Sequence, residues 1–181
     1  NLTSIEARGF ENCSSLKEIE IPKSLTSAHS LAVFGGSGVE KVTFEEGTTK
    51  IADYILKESR NLKTVLLPET VTEIGNSAFI SCTGLETITF PDGVTVIGGA
   101  AFKGCKALAS VNLPKNLTSI GPRGFEECGA LKEIEIPKTL TSANSLAVFG
   151  GSGIEKVTFE DGTTKVANYL LRQSSNLKTV I

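Results

Sequence analysis

The sequence predicts an α/β fold, a right-handed solenoid of about eight rows. One parallel sheet lines its concave side, with short second strands and helical turns on the convex side. Three observations carry this expectation. A string of the form Leu-x-x-Ile-x-Ile/Phe/Leu recurs along the 181 residues and marks rows beginning at Asn1, Ser24, Thr48, Thr70, Val94, Asn116, Thr139 and Thr163. These starts are almost evenly spaced, at a period typical of stacked repeats. Finally, residues 1–66 align without gaps to residues 116–181 with 50 of 66 positions identical, so a unit of five rows has been duplicated. No linker or low-complexity stretch interrupts the rows, and 1–181 reads as one continuous domain.

The row beginning at Thr70, TVTEIGNSAFISCTGLETITFPDG, shows each element in order. Its Thr-x-Ile opening predicts a short second strand. The Ala-Phe-x-x-Cys stretch has the spacing of a single helical turn. Leu-x-x-Ile-x-Phe then alternates inward and outward, the period of a strand with one buried face. Main strands are expected near Ile19, Val42, Val65, Ile88, Val111, Ile134, Val157 and Val180. Running in one direction, they stack as a parallel sheet at about 4.8 Å per step, a short arc of about 40 Å. Proline follows the strand in most rows and ends pairing, because it lacks an N–H.

The row resembles the leucine-rich repeat, specifically the class found in Treponema and in BspA-like surface proteins. The matching residues are Ile74, Ala78, Phe79, Cys82, Leu85, Ile88, Phe90 and Pro91, and again Ile97, Ala101, Phe102, Cys105, Leu108, Val111, Leu113 and Pro114. The resemblance covers essentially the whole chain. Rows two, three, seven and eight lack the cysteine, and rows two and seven are one residue short between Phe and the next strand. The resemblance implies a secreted or cell-surface protein-binding module of the adhesion or host-interaction type.

Unusual residues fit the row before they fit a chemistry. All nine phenylalanines hold inward slots: Phe10, Phe34, Phe79, Phe102, Phe125 and Phe149 in mid-row, and Phe44, Phe90 and Phe159 at the strand end. They are expected to form a core stack. Cys13, Cys82, Cys105 and Cys128 share one slot that Ser37, Ser59, Ser152 and Ser174 fill elsewhere. That exchange calls for a small hydrogen-bonding side chain, so four buried free thiols are expected. Spaced no closer than one per row, they match no zinc signature. Tyr54 and Tyr169 stand where other rows carry a small residue and are expected to cover the neighbouring row. His29, the single histidine, aligns with Asn144 across the duplication and is expected to be a surface residue. Gly35, Gly36 and Gly38 suggest a phosphate cradle only superficially; no Lys-Ser/Thr follows, and shortened turns with positive φ account for them better.

The concave face can be written out in columns. Position two of the strand reads Lys17, Glu40, Lys63, Glu86, Ala109, Lys132, Glu155, Lys178, and position three begins Glu18, Lys41, Thr64. Opposite charges one strand apart form a ladder that also disfavours a slipped register. Glu18 with Glu20, and Glu133 with Glu135, have a spacing that a carboxylate-pair hydrolase could use, but the lysines expected beside them favour the ladder. In the middle the charges lapse. Thr64, Leu66, Thr87, Thr89, Ser110 and Asn112 are the candidate ligand-binding residues, a strip that is easier to desolvate than its flanks.

Composition narrows the function further. Net charge is −2, and no basic stripe exists for nucleic acid or an anionic membrane surface. No apolar run approaches a membrane span. One histidine, no tryptophan and no nucleophile–base pair, metal cluster or cofactor loop predict no catalysis, no metal and no cofactor. A protein-binding module is expected, with a structural spacer presenting another domain as the alternative. The chain lacks methionine and both ends fall in mid-pattern, so a longer array is expected to continue beyond it, and an isolated 1–181 is expected to associate end to end.

Overall fold

The computed structural model describes residues 2–143 and 146–181. Fifteen strands follow in chain order: β1 (Ser4–Ile5), β2 (Glu18–Ile21), β3 (Ser27–Ala28), β4 (Lys41–Phe44), β5 (Lys50–Ile51), β6 (Thr64–Leu66), β7 (Glu73–Ile74), β8 (Thr87–Thr89), β9 (Val96–Ile97), β10 (Ser110–Asn112), β11 (Ser119–Ile120), β12 (Glu133–Ile136), β13 (Ser142–Ala143), β14 (Lys156–Phe159) and β15 (Thr179–Val180). The even-numbered strands and β15 are the eight main strands, starting at constant intervals along the chain; the other seven are the short second strands. Every pair is parallel and in the expected register, with Ile19 opposite Val42 and Val42 opposite Val65. Rows two and seven reach the same register by compensation. Phe34 and Phe149 each stand one place later in the row than the other stacked rings, and the stretch to the next strand is one residue shorter.

Main-strand hydrogen bonding is continuous in three blocks, β2-β4-β6, β8-β10 and β12-β14-β15. Strands β6 and β8, and β10 and β12, lie side by side without a formal ladder. On the second side, β5-β7-β9-β11-β13 form one sheet.

The convex side departs from expectation. Among the described residues there is no helix, so the α/β description gives way to an all-β parallel solenoid of about eight turns. The physical reason lies in where the N–H groups go. Ser77, Phe79 and Ser81 donate to the carbonyls of Gly99, Ala101 and Lys103 in the next row at 2.7–2.8 Å, whereas Ile80 and Cys82 donate three residues back. Half the amides thus bind between rows, and a helix would claim them all within one row. The resulting chain of turns needs left-handed backbone at two points four residues apart. Ser77 and Ser81 have φ of 53° and 61°, and among the described residues eleven non-glycine residues take positive φ, Tyr54 and Tyr169 included.

The core is one continuous column. Phe79 and Phe102, and Phe102 and Phe125, stack at 5.1 Å between ring centroids, and Phe125 meets Phe149 at 5.5 Å. Phe34, Phe79, Phe102, Phe125 and Phe149 are fully buried, while Phe10 and Phe159 are half-buried against the same core. The expected stack is therefore present, broken in row three where Ile55 and Leu56 replace the ring.

The cysteine slot needs one correction. Cys82, Cys105 and Cys128 are buried and donate their S–H groups to the carbonyls of Leu56, Phe79 and Phe102 in the preceding row at 3.0–3.2 Å. Burial pushes all three thiols up from their ordinary pKa. Cys13 is exposed: among the described residues no row lies before its own to cover it or accept its S–H. Ser37, Ser59 and Ser152 are buried in the same slot, and their hydroxyls find no partner among the described residues. Only one glycine of each short glycine run has the expected positive φ, Gly36 at 66° and Gly151 at 64°. Gly38 is there for space instead: a Cβ would stand 1.9 Å from the Ser14 carbonyl oxygen.

Candidate functional site

Strand alternation turns positions three and five of each main strand to the concave side, and position two stands exposed or half-exposed just before the strand. The predicted charge ladder is present across these positions. Glu40 sits between Lys17 at 3.3 Å and Lys63 at 2.7 Å. Glu155 repeats this between Lys132 at 3.6 Å and Lys178 at 2.6 Å. Lys41 meets Glu18 at 3.3 Å and Lys156 meets Glu133 at 3.4 Å. Hydrogen bonds from Lys63 and then Lys17 hold the Glu40 carboxyl below its usual range, and Lys178 does the same for Glu155. These are solvated pairs that favour register more than they add stability.

The six predicted site residues come together on this face. Thr64 and Leu66 lie on β6, Thr87 and Thr89 on β8, and Ser110 and Asn112 on β10, all exposed. Thr87 pairs with Ser110 and Thr89 with Asn112 across the β8-β10 ladder. Leu66 is 48% exposed, an apolar side chain in a polar strip.

Beside the strip the surface dips. A shallow depression of about 420 Å³ runs over β10, β12 and β14, lined by Ser110, Asn112, Glu133, Ile134, Glu135 and Thr158 among others. A second, of about 300 Å³, is lined by Glu18, Ile19, Glu20 and Thr43. Sequence reasoning placed the candidate strip but missed these recesses on its flanks. The signal was present in position five, where glutamate in rows one and six neighbours a threonine rather than a lysine.

The flank outside the concave face carries inter-row bonds rather than chemistry. Thr72, Thr95 and Thr118 donate their hydroxyls to the carbonyls of Thr49, Thr72 and Thr95. Asp53 accepts both the backbone and side-chain N–H of Asn76, whose own side-chain oxygen accepts from Gly99. His29 is exposed, and its Nδ1 accepts the Leu31 N–H at 3.1 Å; its counterpart Asn144 lies outside the described residues. Among the described residues no three His, Cys, Asp or Glu side chains gather to hold a metal ion, and no helix is long and apolar enough to cross a membrane.

Comparison with known proteins adds to this geometry. The family described as the BspA type leucine rich repeat region matches in six copies, over residues 1–109 and 95–181. A leucine-rich repeat protein from Bacteroides ovatus superposes with a TM-score of 0.74 at 24% identity, covering 99% of this chain and 52% of that one. The T. pallidum leucine-rich repeat protein gives 0.53 at 24% identity, covering 87% of this chain and 66% of that one. One from Eubacterium ventriosum gives 0.57 at 22%, covering 97% and 56%. At these identities the likeness is one of fold. The chain spans about half the length of the Bacteroides protein. No curated protein sequence matches.

Proposed function

The chain belongs to the BspA-type leucine-rich repeat family, and on that footing we propose that it is an extracellular or cell-surface protein-binding module without catalytic activity. Its docking surface is the concave sheet, centred on Thr64, Leu66, Thr87, Thr89, Ser110 and Asn112. The duplication is the observation that carries the concave face as the docking surface; of the six residues it includes Thr64 and Leu66, whose counterparts are Thr179 and Ile181. Residues 1–66 and 116–181 differ at 16 positions, and only one of these faces the concave side, where Leu66 becomes Ile181. Exposed turn residues have changed freely: Glu6 to Gly121, Asn12 to Glu127, Ser14 to Gly129 and Arg60 to Ser175. A surface retained while its opposite drifts supports a role for that surface.

The ion-paired ladder supports a second reading, a rigid spacer that holds another domain away from the cell, because paired charges fix register without a ligand. Binding of the labelled chain to an array of purified extracellular proteins separates the two. A docking module binds at least one of them, and Thr87→Lys with Thr89→Lys weakens that binding about tenfold or more while the thermal midpoint stays put. No binding, or binding that ignores both substitutions, favours the spacer.

A further inference from the structure

Building on the concave face as docking surface, we propose that its partner is an extended protein segment with two basic side chains separated by five strand steps, about 24 Å, and uncharged residues between them. One basic group sits on Glu20 and the other on Glu135. The argument begins with the charges that the ladder leaves over. All six concave lysines are in ion pairs: Lys17 and Lys63 with Glu40, Lys41 with Glu18, and their counterparts in the second unit. Among the described residues, Glu20, Glu86 and Glu135 have no such partner within 4.0 Å, the ion-pair limit. Glu40 and Glu155 each serve two lysines, so the face as a whole is nearly balanced, and its unpaired carboxylates favour a cationic side chain at their own positions.

Position five gives that partner its shape. From row one to row six the column reads Glu20, Thr43, Leu66, Thr89, Asn112, Glu135. A carboxylate closes each end, and the middle is uncharged and cheap to desolvate. Both ends lie in a recess, one lined by Glu18, Ile19, Glu20 and Thr43, the other by the equivalent Glu133, Ile134, Glu135 and Thr158 together with residues of β10 and with Lys132 and Lys156, whose ammonium groups are held by Glu155 and Glu133. An extended chain covers the distance between the two carboxylates in about seven residues. A segment laid along the solenoid axis with lysine or arginine at each end thus meets both recesses while its middle crosses Leu66 and Thr89.

Two blocked eight-residue peptides test this on the full chain by calorimetry at low salt. One has a lysine at each end and six uncharged residues between; the other has the same composition with both lysines at its centre. The end-lysine peptide should bind about threefold tighter, the scale of an added exposed ion pair. That advantage should vanish in Glu20→Gln and in Glu135→Gln, and survive in Glu86→Gln. Equal affinity of the two peptides for the unsubstituted chain, or an advantage that persists in the Glu20→Gln/Glu135→Gln double variant, overturns the proposal. If array binding still responds to Thr87→Lys, that failure concerns the basic segment and leaves the concave docking surface standing.

Discussion

Phe102 touches aromatic rings on three sides: Phe79 and Phe125 stack on its faces, and Phe90 meets it edge-on at 5.6 Å. Removing the ring opens a cavity between rows that the flanking rows cannot close without losing register. Phe102→Ala should therefore cost about 3–5 kcal/mol in urea unfolding, and a loss below about 1 kcal/mol would contradict the packing. The cysteines give a second prediction. Iodoacetamide on the native chain should modify Cys13 alone, since the other three thiols are buried and pushed toward the unreactive protonated form. Under denaturing, non-reducing conditions it should modify all four. Rapid native labelling at Cys82, Cys105 or Cys128 would contradict their burial. The phenylalanine slots and the Cys/Ser exchange were legible in the sequence because a slot repeats in eight rows. The exposure of Cys13 was not, because covering a slot takes the row before it.

At the scale of the element, the main strands fall where the Leu-x-x-Ile-x-Ile alternation puts them, but the convex segment does not become the helical turn that Ala-Phe-x-x-Cys suggests. Apolar spacing of three residues is shared by a helical turn and by a chain of β-turns. What separates them is the destination of every second N–H, and that is a property of two adjacent rows. The left-handed residues follow from this pattern. Ala100, with φ 53°, takes a conformation that costs an L-residue about 1–2 kcal/mol, while Gly104 fills the next such point at φ 73° with no such cost. Ala100→Gly should therefore stabilise the chain, by about 0.5–1 kcal/mol after the greater unfolded-state freedom of glycine is subtracted. Ala101→Gly, at a buried neighbour outside the left-handed set, should destabilise it. The same sign for both substitutions in urea unfolding would contradict the turn geometry.

Across the whole molecule, a constant row-to-row register places every inward slot above its equivalent and leaves one face of aligned outward columns. Composition and column order were enough to pick out the uncharged strip, because outward positions follow from strand alternation alone. The recesses at its flanks depend on sheet curvature and on where the ladder is interrupted, which no single row encodes. The pairing of Thr87 with Ser110 across parallel β8 and β10 anchors this geometry, and a cross-link reads it out directly. In a Cys13→Ser background, Thr87→Cys with Ser110→Cys should oxidise to an intramolecular disulfide, since neighbouring strands about 4.8 Å apart lie within disulfide reach. Thr87→Cys with Asn112→Cys, two residues out of register, should stay largely reduced under the same oxidant. Efficient bridging in the offset pair, or none in the aligned pair, would contradict the register on which the concave face depends.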